Sequence, residues 1–153
     1  YSRAGGSQGV CRRTMKFKYK RYSSEILRPV IPIKIQSVKD AINYEVLVDS
    51  GADICLFHAE IGELLGIDIT KGKPQEVFGV GGKASLYYTH PVQINVGGWL
   101  YNIEAGFMPN VSGGVMRYGL AGQKGFFDIF IIKFDLLKSE IELKPRDPNK
   151  NNK

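Results

Sequence analysis

From residue 30 onward, apolar and polar positions alternate along most of the chain, the two-residue period of strands with one buried face. Val30-Ile31-Pro32-Ile33-Lys34-Ile35 reads as a strand, and Pro32, which cannot donate to a ladder, pushes it towards a sheet edge. After the turn-like Lys39-Asp40, Tyr44-Glu45-Val46-Leu47-Val48 reads as a second strand that becomes wholly apolar at its end. The period then changes. Within 59–66 the apolar residues at 61, 64 and 65 suit a short helix with Gly66 as its cap. Gln75-Glu76-Val77-Phe78 and Lys83-Ala84-Ser85-Leu86-Tyr87-Tyr88 flank Gly79-Val80-Gly81-Gly82, which predicts a hairpin with a glycine tip.

Further strands are expected at 92–96 and 99–107, split by Gly97-Gly98, and a short extended piece at 118–122 follows an irregular stretch. Residues 125–130 suit one or two helical turns, and two closing strands, 131–136 and 140–144, flank a turn at Lys138-Ser139. Short strands, glycine turns and two brief helices predict an all-β barrel or sandwich.

Composition narrows this to one soluble domain. The 153 residues, 43% of them hydrophobic, can bury a core without disulfide or metal staples, and no run approaches the roughly 20 apolar residues that span a bilayer. Cys11 and Cys55 make neither a metal spacing nor a disulfide framework, a weak pointer to a reducing compartment. The net charge of +6 suggests nucleic acid until it is located. Residues 1–28 hold eight Lys/Arg against Glu25, residues 145–153 hold three against Asp147, and the body between holds ten against thirteen acids.

Three regions are therefore expected: a basic flexible segment over 1–28, a folded domain over 29–144 and a disordered polar tail over 145–153. Met15 is expected to be the natural start, with 1–14 a foreign leader. The basic 16–21 cluster is followed by no apolar run suited to a signal peptide, so a cytoplasmic location is expected.

The chemistry concentrates in Val46-Leu47-Val48-Asp49-Ser50-Gly51-Ala52-Asp53, where an apolar strand runs straight into a carboxylate. A buried strand is a costly place to end on an ionised group unless that group is paired or functional. The bland reading is a strand-to-turn junction, where Asp, Ser and Gly are all common. Two further features accompany it: the glycine-tipped hairpin, and Leu120-Ala121-Gly122, which echoes Leu47-Val48-Asp49 about seventy residues later.

Together these residues resemble the retropepsin family, the half-length aspartic proteases of retroviruses and their cellular and bacterial relatives, a cellular or bacterial member being expected here. The resemblance covers roughly residues 29–144. It implies a closed β-barrel protomer with one or two short helices, active as a homodimer that cuts peptide or protein substrates. Each protomer would give one catalytic Asp, here Asp49. Two carboxylates in contact cannot both ionise, so the pair shares one proton. By the same resemblance Ser50 and Gly51 brace the catalytic loops, and Ala52 and Asp53 line the cleft. Gly79, Val80, Gly81 and Gly82 form the tip of a flap, and Leu120, Ala121 and Gly122 form the second apolar-apolar-Gly element. The viral members usually follow that element with Arg, which pairs with the acid at the place of Asp53, and then Asp or Asn. Gln123 and Lys124 stand there instead, so either another base such as Lys124 or Arg117 serves Asp53 or the dimer is weaker.

Two alternatives stay open: a retropepsin-fold domain that binds peptides or proteins without cutting, and a β-barrel that binds nucleic acid through its basic arm, with Phe17, Tyr19 and Tyr22 interleaved. A solvated tail is favoured over that second reading. No cofactor, metal or membrane partner is expected. His58 and His90 lack a third ligand at suitable spacing, and Cys55 reads as a packed apolar residue rather than a nucleophile. The glycine tip lacks the Lys-Ser/Thr of a phosphate-binding loop, and Trp99, Tyr101, Phe126, Phe127 and Phe130 suit a core.

Overall fold

The computed structural model describes residues 13–79, 81–109 and 118–147. In chain order the strands are β1 Met15–Lys18, β2 Lys20–Arg21, β3 Leu27–Arg28, β4 Val30–Gln36, β5 Ala41–Val48, β6 Leu56–His58, β7 Lys73–Phe78, β8 Ala84–Val96, β9 Trp99–Met108, β10 Gly119–Ala121, β11 Phe130–Asp135 and β12 Glu140–Pro145. A helix, α1, spans Ala59–Leu64, and a single 3-10 turn spans Ile69–Lys71.

The fold is all-β. A seven-stranded sheet runs β4-β5-β10-β6-β9-β8-β7 and returns on itself, because β4 also pairs with β8 through Lys34–Asn95, Ile35–Ile94 and Gln36–Gln93. The inward row of each strand is apolar: Ile31, Ile33 and Ile35 on β4, Val46 and Val48 on β5, Val92, Ile94 and Val96 on β8. These side chains fill the ring with Phe57, Phe107 and Phe126. Burial of this apolar row, at about 25 cal/mol per Å2, is what holds the ring together.

Pro32 and Pro91 find places where a missing donor is tolerated. Pro32 pairs with Glu45 of β5 but precedes the part of β4 that meets β8. Pro91 lies where β8 has left β7 and not yet reached β4. The strand therefore continues through it, and the two strands expected at 83–88 and 92–96 are one of thirteen residues.

Two other expectations about helices change. The short helix forms, but its buried residues are Ala59 and Gly62, with Leu65 just beyond it, while Leu64 is exposed. Gly66 follows in the left-handed region (φ 81°), the conformation the end of this helix requires. Residues 125–129 make consecutive turns rather than a regular helix; the Phe127 and Asp128 amides reach back five residues, to Gly122 and Gln123.

Within the segment expected to be a flexible arm, residues 15–18, 20–21 and 27–28 form strands. Met15, Phe17 and Tyr19 pack against the core, and β1 joins β12 and β11 in a three-stranded sheet. Its register places Met15 opposite Leu143 and Phe17 opposite Ile141, so apolar faces apolar. The basic residues alternate to the other side: Lys18 reaches Glu140 at 3.1 Å, and Lys20 reaches Glu45. At the other end Pro145 completes β12, and the Arg146 amide donates to Ile129 O.

Candidate active site

The buried end of β5 fixes Asp49. Val46 and Val48 are sealed in the core, and the next residue leaves the sheet half-buried. The echo in the sequence is a pairing in space. β10 lies parallel to β5 with Leu120 opposite Leu47 and Ala121 opposite Val48, and Leu120 also pairs with Leu56 on its other side. The pairing continues past both strands as a ladder. The Asp49 amide donates to Ala121 O at 3.0 Å, Gln123 N to Ala52 O at 2.8 Å, Lys124 N to Asp53 O at 3.0 Å, and Cys55 N to Lys124 O at 3.3 Å. Residues 49–55 are thus tied by four main-chain hydrogen bonds to residues 121–124.

Within this frame the Asp49 carboxylate is held by its own turn. Oδ1 accepts the Gly51 N–H at 2.8 Å, and Asp49 O accepts the Ala52 N–H at 3.2 Å. A Cβ on Gly51 would stand 3.2 Å from Oδ1, so glycine here keeps the carboxylate uncrowded. Gly122 has a stronger reason. A Cβ there would lie 2.7 Å from Ala52 O and closer still to the Ile54 carbonyl, with no flexible atom to yield.

The structure brings Asp49, Ser50, Gly51, Ala52 and Asp53 together with Leu120, Ala121 and Gly122. Ser50 and Asp53 are exposed beside half-buried Asp49 and Ala52. The hairpin forms in register, with Phe78 opposite Ala84, and closes through Gly82 N–H to Gly79 O at 3.1 Å. Gly79, Gly81 and Gly82 are exposed at its tip, and Val80 lies outside the described residues. Near the hairpin's base, the side chains of Tyr87, Leu56 and Ile54 all close over Gly106, which places this part of the hairpin near the segment that follows Asp53.

Lys124 does not serve Asp53 through its side chain; its ammonium approaches Glu104 at 3.8 Å. Arg117 lies outside the described residues. Cys55 is buried behind the ladder, and that burial pushes its thiol up to about 12 despite the Gly122 N–H, so it offers no thiolate nucleophile. His58 ends β6 at the N-cap of α1, whereas His90 Nε2 bonds to Ile69 O at 2.7 Å. Among the described residues no group of three His, Cys, Asp or Glu side chains comes together to hold a metal ion. No helix among them is long and apolar enough to cross a membrane. One contact of the loop was not legible in the sequence: Gln123 Nε2 donates to Ser50 O at 2.8 Å.

A family model described as aspartyl protease matches residues 32–124, which contain the whole ladder. No curated protein sequence matches the chain. Among solved structures, a retropepsin-like aspartic protease from Rickettsia conorii superposes with a TM-score of 0.60 at 17% identity, covering 86% of this chain and 91% of that one. The retroviral protease-like domain of Ddi1 from Leishmania major gives a TM-score of 0.52 at 14% identity, covering 80% of this chain and 97% of that domain. These likenesses are of fold.

Proposed function

Since the chain belongs to the aspartyl protease family, we propose that it is an aspartic endopeptidase whose active form is a homodimer and whose catalytic group is Asp49. The observation that carries this reading is the placement of Asp49. A carboxylate stands at the mouth of a sealed strand, one oxygen held by the Gly51 amide, on a loop laddered to a second segment of the same chain. The sequence has one Asp-Ser-Gly, so a second carboxylate comes from a second copy across a two-fold axis.

In that pair the shared proton divides the roles. The ionised carboxylate takes a proton from a water held between the two, and the water oxygen bonds to the peptide carbonyl carbon. The protonated carboxylate gives its proton to the carbonyl oxygen, forming a tetrahedral diol. Collapse of the diol breaks the C–N bond, with a proton passing to the leaving nitrogen and the carboxylates restored. The β7–β8 hairpin is the flap, covering substrate bound as an extended strand.

The test is cleavage of an unstructured protein substrate by the wild type and by Asp49→Asn. The wild type should cut, with specific activity rising with protein concentration until the dimer saturates. Asp49→Asn should retain its circular dichroism and lose cutting by at least about a thousandfold, since the step has no other base. Cleavage that survives the substitution, or specific activity independent of concentration down to a demonstrated monomer, removes the reading.

A further inference from the structure

The carboxylate of Asp49 is only as well placed as the amide that donates to it, and that amide belongs to a peptide unit held from its other side. The Ser50–Gly51 peptide presents two polar groups. Its N–H, on Gly51, donates to Asp49 Oδ1 at 2.8 Å. Its C=O, on Ser50, accepts from Gln123 Nε2 at 2.8 Å. The plane is therefore pinned at both ends, and rotating it to satisfy one partner would release the other.

Gln123 is suited to this by its own anchoring. Its main-chain amide donates to Ala52 O at 2.8 Å, and its carbonyl accepts the Asp128 amide at 3.1 Å, so the side chain starts from a fixed backbone. The remainder of the ladder engages the carbonyls of Ala52 and Asp53 through main-chain donors; the Ser50 carbonyl, at the exposed apex of the turn, is reached by a side chain instead. A hydrogen bond accepted by a peptide oxygen also polarises the N–H at the far side of that peptide, so linked bonds strengthen one another.

We propose that Gln123 is a positioning residue for Asp49, acting through the Ser50–Gly51 peptide: its amide holds the peptide plane in the orientation that aims the Gly51 N–H at the carboxylate. The inference rests on the protease reading for the meaning of Asp49, and on the two hydrogen bonds alone for the linkage. The hydrogen bond of the Gln123 side chain goes to the Ser50 carbonyl and not to the carboxylate. Its loss should leave substrate binding intact and displace the reacting group.

The experiment compares the full chain with Gln123→Ala and with Gln123→Glu, which keeps the side chain's size and removes its donor. Two readouts are taken. In 15N-labelled protein, the Gly51 amide proton should move upfield and exchange faster with solvent in both variants, while the amides of Val46 and Ala105 in the core stay put. In peptide cleavage, kcat should fall between about tenfold and a hundredfold, with KM within about twofold of wild type, as expected for a small displacement of a reacting group. A Gly51 amide unchanged in both variants overturns the proposal, as does a loss confined to KM. The amide measurement needs no activity. A wild-type chain that cuts nothing removes the protease reading, and the Gly51 resonance still decides whether Gln123 holds the turn.

Discussion

Glycines punctuate both the aspartate loop and the tip of the β7–β8 hairpin, for opposite reasons. Around Gly51 and Gly122 there is no room. A side chain would press on the Asp49 carboxylate in one case and on the backbone of Ile54 and Ala52 in the other. At Gly79, Gly81 and Gly82 a Cβ would meet nothing within 4 Å, and what two of them supply is backbone conformation, with φ of 106° at Gly81 and 78° at Gly82. The loop is over-determined by its ladder, whereas among the described residues the tip is held by two main-chain hydrogen bonds across its turn. The proposed reaction needs two carboxylates in fixed register and a cover that lets a chain in and out, and this division would suit it.

The sharpest way to break the comparison is at Gly122. Gly122→Ala should destabilise the protein by about 3 kcal/mol or more, because overpacking here is against backbone. Urea unfolding measures it; a midpoint near wild type would show that the ladder is looser than its hydrogen bonds imply. The tip should respond less, and to conformation rather than space. Gly82→Ala should cost about 1 kcal/mol for placing a Cβ in the left-handed region. Gly79→Ala, with an ordinary φ and open surroundings, should stay within about 0.5 kcal/mol. Equal effects at 79 and 82 would mean that the left-handed backbone is not what the tip requires.

Much of this division could be read from the chain. The apolar run into Asp49, the glycine tip and the Leu120-Ala121-Gly122 echo each carried a local signal, and the structure joins the first and third as paired parallel strands. Less legible were features that depend on distant partners. The alternation Met15-Lys16-Phe17-Lys18-Tyr19 has a strand's period, yet its charge suggested a solvated arm. Only its pairing with β12, more than a hundred residues away, shows that the apolar half is buried. The strands expected at 83–88 and 92–96 are joined through Pro91, because neither flanking strand pairs at that point on that side, which sequence does not show. Gln123 was noticed as a departure from Arg, which hid what its amide does: a side-chain bond to a main-chain oxygen leaves no pattern in spacing or composition.

The charge had a similar fate. Phe17 and Tyr19 turn towards the core, while Lys16 and Lys18 flank Glu140 on the opposite side. Exposed pairs of this kind contribute little to stability. They nevertheless occupy cations that a stacked nucleic-acid platform would use.

The central claim is that two copies of this chain complete one site. The most direct measurement is the distance between the two Asp49 carboxylates in a crystal structure of the dimer bound to a non-cleavable peptide. The account predicts oxygens about 3 Å apart across the two-fold axis, within reach of one water, with the peptide extended beneath the hairpin. A dimer in which the two carboxylates face away from each other, or a peptide bound by a single protomer with Asp49 turned to solvent, would contradict it.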